Sequence, residues 1–96
     1  MTDMDSTEFM SSVKEIESQI MEEVTGAQDY MNCADHWKND STASSTYTAM
    51  AKQELEHAKN LNGLLSVMKD LTDEQKTITK FLVDMNNDQI RRVSNR

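Results

Sequence analysis

Proline is absent from this 96-residue chain, and glycine occurs only at Gly26 and Gly63. With so few breakers, many turns are excluded and a few long helices are expected. Aromatic residues make up only 5%, and β-branched runs are short, which argues against a sheet. The single cysteine, Cys33, rules out an internal disulfide and leaves too few thiolates for a thiolate metal site. No apolar run approaches the roughly 20 residues of a membrane span, and the polar N-terminus lacks a secretory apolar core. These absences lead to the expectation of a soluble, cytoplasmic protein in a reducing compartment. They bound the chain to one domain, residues 1–96. A chain this small, drawn into long helices, buries little surface alone, so a homo-oligomer is expected.

What is present is acid, unevenly placed. The net charge is −7. Residues 1–40 carry ten acids against two lysines, residues 41–71 three against three, and residues 72–96 four acids against five bases. An acidic first half disfavours nucleic acid and anionic membrane as partners and attracts cations. Most of these acids read as a solvated face.

Apolar spacing predicts three helices. The first runs from about 6 to 38, with Asp5 or Ser6 able to cap it. Its inward seam reads Ile16, Ile20, Glu23, Ala27, Tyr30, Ala34, Trp37, in alternating steps of four and three. Asn39-Asp40 forms the break, and Ser41 or Thr42 can cap the next helix. That helix runs from about 42 to 70 with the seam Tyr47, Met50, Glu54, His57, Leu61, Leu64, Met68. Thr72 and Gln75 have capping-box spacing and open a third, shorter helix at about 73–91. Its expected apolar stripe is Ile78, Phe81, Leu82, Met85 and Ile90, with Asn86-Asn87-Asp88 a weak or bent stretch.

Three ionisable residues interrupt these seams: Glu23, Glu54 and His57. Folded as an antiparallel hairpin about residue 40, the chain places Glu23 17 residues before the turn and Glu54 and His57 14 and 17 residues after it. Heptad position and height above the turn therefore agree. Buried ionisable groups are costly unless paired or bound to metal. A buried Glu–His hydrogen bond is one reading of these residues. Metal ligation is the other, and carboxylate with imidazole suits iron, manganese or zinc. One E-x-x-H pair, Glu54 and His57, with one facing glutamate is too few ligands to close a two-metal site, and a two-fold dimer would double the set. Gly26, a turn from Glu23, costs about 1 kcal/mol against alanine and leaves room for close helix approach. Glu56 falls off the seam. His36 reads as a solvent-facing or capping residue, and Cys33 as a packing residue.

Glu23 with Tyr30 seven residues later, and Glu54-x-x-His57 on the next helix, resemble the ferritin-like superfamily, most closely the short two-helix encapsulated ferritins. The likeness covers residues 13–70 in detail and the third helix in outline. It implies an all-α fold in which the hairpin plus shorter C-terminal helix dimerises into a four-helix bundle. It also implies a di-iron ferroxidase site shared between two chains, oxidising Fe(II) with dioxygen in iron storage or detoxification. On that reading Glu54 and its mate bridge or clamp the metals, Glu23 adds carboxylate oxygens and His57 one nitrogen. Tyr30 donates its hydroxyl to a carboxylate; a core aromatic is the plainer alternative. Glu22 matches a glutamate that helps metal in, or is an ordinary surface acid. Encapsulated ferritins end in a linker and glycine-containing tail that docks into a protein shell. Gln89 to Arg96 show neither, so a nanocompartment partner is not evident. Competing readings are a non-catalytic acidic helical adaptor, with the three residues fixing register, and a structural dimer bridged by zinc or manganese.

Overall fold

Asp5 starts the first helix, its Oδ1 accepting from the Glu8 N–H at 2.9 Å. The computed structural model describes residues 5–95. Helix α1 spans Ser6–His36, α2 Ser41–Ser66 and α3 Asp73–Ser94. Among the described residues there is no strand, and the fold is all-α. None of the helices is long and apolar enough to cross a membrane.

The caps settle the boundaries. Asp40, rather than Ser41 or Thr42, caps α2, its Oδ1 accepting from the Ala43 N–H at 3.1 Å. Across the turn, the Ser44 hydroxyl donates to the Ala34 carbonyl at 3.1 Å, pinning the register of the hairpin. Helix α2 stops at Ser66 instead of continuing to about 70. Asp70 takes φ 61°, a left-handed conformation that breaks a helix and that aspartate tolerates better than most side chains. Thr72 and Gln75 then form a reciprocal capping box for α3.

The hairpin meets along small residues. Ala27, Ala51 and Ala58 are fully buried, with Phe9, Val13, Ile20, Leu55 and Leu65 filling the core beside them. The buried stripe of α2 is Ala51, Leu55, Ala58, Asn62 and Leu65, so the expected Tyr47–Met68 seam is corrected by one residue. Helix α3 accounts for the shift. It covers the Ala51–Leu65 side, where the Asn62 side-chain amide donates to the Val83 carbonyl at 3.1 Å. The other edge of the hairpin has no cover: Leu64 is 49% and Trp37 45% exposed.

Helix α3 also departs from expectation. Only Leu82 and Ile90 of its expected apolar stripe pack against the core, while Ile78, Phe81 and Met85 face outward, Phe81 at 63% exposure. Gln75, Thr79 and Asn86 are buried instead. A polar network draws that face in. The Asn86 amide donates to Asn62 Oδ1 at 3.0 Å and to Glu17 Oε1 at 2.5 Å, and the Asn62 amide donates to Asn87 Oδ1 at 3.0 Å. Asn86-Asn87-Asp88 is therefore continuous helix, held by a buried polar lock across all three helices. The result is a rod with extents 58 × 18 × 14 Å.

Candidate metal centre

Successive α-helical residues turn by about 100°, so Glu23 and Gly26 of α1 and Met50, Glu54 and His57 of α2 all border the edge facing away from α3. Glu23, Glu54 and His57 each turn one ligand atom into a group whose members lie within 4.8 Å of one another. The structure thus brings the three seam interruptions to one height. The burial expected for them is only partial: Glu23 and Glu54 are half-buried, while the His57 side chain is 56% exposed. The absence of a cover on this edge explains the difference.

The donor set is short of counter-charge. Glu23 Oε2 is buried and has no hydrogen-bond partner. The nearest positive candidate is His57 Nδ1 at 3.5 Å, beyond good hydrogen-bonding distance. Glu54 has a pKa held above its ordinary value of 4.5, first because only its protonated form can donate a hydrogen bond to the Glu23 carboxylate, then by burial and by repulsion from the Glu23 charge, with His57 pulling the other way. Two ionised carboxylates are both acceptors and cannot bond each other. The apo pair is relieved when Glu54 keeps a proton and donates it to Glu23, or when a cation replaces that proton.

A cation fits the chemistry. Carboxylate and imidazole are iron, manganese and zinc ligands, and an orphaned buried carboxylate oxygen is the group a cation would satisfy. Donors on one ion at bonds of ~2.1 Å lie at most ~4.2 Å apart. The three ligand atoms all lie within 4.8 Å of one another, and His57 Nδ1 and Glu23 Oε2, 3.5 Å apart, lie inside that limit.

The other expected residues lie around this group. Tyr30 is half-buried and pairs with Tyr47, ring centroids 6.3 Å apart and tilted by 31°. Glu22 is exposed and lines an open groove on the outer side of α1 with Asp29 and Met21, outside the three-residue group. Glu56 is exposed and pairs with Lys59 at 3.9 Å. His36 is exposed and stands edge-on to Trp37, centroids 5.6 Å apart. Cys33 is a half-buried free thiol. The Glu17–Asn62–Asn86 network was not visible in the sequence, since three polar residues scattered over three helices carry no local signal.

The family model described as Rubrerythrin matches residues 14–93 of the chain, a span that includes the whole three-residue group. No curated protein and no solved structure matches it significantly.

Proposed function

We propose that this chain, which belongs to the rubrerythrin family, is half of a di-iron ferroxidase completed by a second copy. The family is ferritin-like and typically binds iron. The observation that carries the reading is the orphaned Glu23 oxygen in a Glu-Glu-His group on the uncovered edge of the hairpin. Ferritin-like bundles use a glutamate from each of two helices and a Glu-x-x-His from each of the other two. One chain supplies one helix of each kind, and an isologous two-fold contact on the open edge supplies the rest.

The dimensions support a partner. The radius of gyration is 16.3 Å, against about 12.5 Å for a compact domain of this length. The exposed surface is 6554 Å², against about 5600 Å² for a compact monomer of this mass. The excess is close to the roughly 800 Å² each partner loses in a standard interface.

In the loaded dimer Fe(II) is the substrate: two ions give one electron each to dioxygen, which takes up two protons and leaves as hydrogen peroxide. Glu23, Glu54 and His57 of each chain would hold the two ions. Tyr30 orients a ligand carboxylate through its hydroxyl, and Glu22 gathers cations at the surface. Iron storage or detoxification is the purpose that fits this activity. The test is Fe(II) oxidation in Glu54→Ala and His57→Ala. Loss of rapid oxidation with helix content retained is expected; oxidation at the unaltered rate in both contradicts the proposal.

A further inference from the structure

Gly26 lies in the middle of α1, where glycine weakens a helix. No turn or positive φ calls for it; among the described residues no glycine has positive φ. Its reason is across the hairpin. A Cβ at Gly26 would stand 2.8 Å from Glu54 Oε2, 3.5 Å from its Cδ and 3.8 Å from its Cγ. The first distance is well inside van der Waals contact. The Glu54 carboxylate thus lies in the space a side chain on α1 would occupy.

We infer that Gly26 is a positioning residue: its missing side chain is the socket that holds the Glu54 carboxylate against α1, within reach of Glu23 and His57. The inference rests on the metal-site reading above. It has a consequence that packing alone would not give. The atom a Cβ would displace is the far end of a flexible side chain, so the unliganded protein accommodates Gly26→Ala by swinging Glu54 outward. The helix gains the better propensity of alanine. The metal site would lose the Glu54 carboxylate. Stability and metal affinity therefore move in opposite directions.

Gly63 supplies the control. It lies in α2, and a Cβ there would meet nothing within 4 Å. Gly63→Ala should raise the melting temperature of the apo-protein and leave metal binding untouched.

The experiment is titration of wild type, Gly26→Ala and Gly63→Ala with Co(II), read by its visible absorption, beside thermal melts of the apo-proteins. The expected result is a raised apo melting temperature in both variants. Co(II) affinity should fall about 10- to 100-fold, the usual effect of losing a group that orients a ligand, in Gly26→Ala alone, with altered Co(II) bands at saturation. Wild-type affinity and bands in Gly26→Ala overturn the inference and leave the metal site standing. An apo Gly26→Ala that melts below wild type also overturns it, because stability and metal affinity then fall together, as packing alone would give. If wild type itself binds no Co(II), the metal-site reading fails and takes this inference with it.

Discussion

His57 Nδ1 stands 3.5 Å from Glu23 Oε2 across the α1–α2 hairpin. The two side chains come from opposite arms of the hairpin to one height, yet neither satisfies the other. A pair that is close but not bonded, with a second carboxylate beside it, has more negative charge than its surroundings neutralise. That imbalance is the basis of the predictions that follow.

Replacing a ligand should remove metal without unfolding the chain. Glu23→Ala, Glu54→Ala and His57→Ala each delete a partly exposed side chain outside the buried core, so circular dichroism should show unchanged helix content. Metal affinity should fall at least about 100-fold, more than loss of an orienting group causes. Calorimetric titration with Fe(II) or Mn(II) under anaerobic conditions measures it.

Acidity should govern the apo-protein in a definite direction. The folded Glu54 has a raised pKa. Its contribution to stability is therefore present below the ordinary value of 4.5 and is lost as the pH rises through the raised value. Like charges ~4 Å apart repel by roughly 1–4 kcal/mol, depending on how much water screens them. Glu54→Gln should accordingly gain stability over wild type as the pH climbs from 4 to 7, by ~1 kcal/mol at this partly exposed site. Urea unfolding of both proteins across that range checks the sign. Saturating metal should reverse the order, stabilising only the wild type.

The polar lock should be separable from the metal centre. Asn86→Ala strands the buried Asn62 Oδ1 and removes the partner of Glu17. An unsatisfied buried polar group costs about 1–3 kcal/mol, and urea unfolding should show a loss of that size. Because the network lies on the α3 side of the hairpin, Co(II) affinity measured under native conditions should stay within about twofold of wild type.

The open edge should be needed for assembly. Leu64→Glu puts a charge on an exposed apolar position of the open edge, about two helical turns beyond His57. The chain should remain helical, while light scattering shows monomer and metal stoichiometry falls with the dimer.

Tyr30→Phe keeps the ring against Tyr47 and deletes only the hydroxyl. If that hydroxyl orients a ligand carboxylate, metal affinity should fall about tenfold with stoichiometry intact, as read by the same anaerobic titration.

That Glu23, Glu54 and His57 come together was legible because two independent periodicities, heptad position and distance from the turn, converged on them. The surrounding packing was not. Helix α2 carries two adjacent apolar stripes, and the larger residues Tyr47, Met50, Leu61 and Leu64 suggested the wrong one as the core. The helices instead approach along Ala51 and Ala58, because small side chains permit the closest contact, and the larger residues are left at the margin. Helix α3 misled for a related reason. Apolar spacing pointed Ile78, Phe81 and Met85 inward, but hydrogen bonds from Asn62 and Asn86, far apart in sequence, fixed the opposite face. Local capping was read well at Thr72 and Gln75, where both partners lie within one turn.

The most direct measurement of the central claim is an anaerobic Fe(II) titration followed by air, with absorbance and oligomeric mass recorded together. The account predicts saturation near one iron per chain, a dimer or larger species, and a rapid oxidation signal on admitting air. A chain that takes up no iron, and whose mass does not respond to it, would contradict the shared di-iron centre and leave Glu23, Glu54 and His57 as polar residues that set helix register.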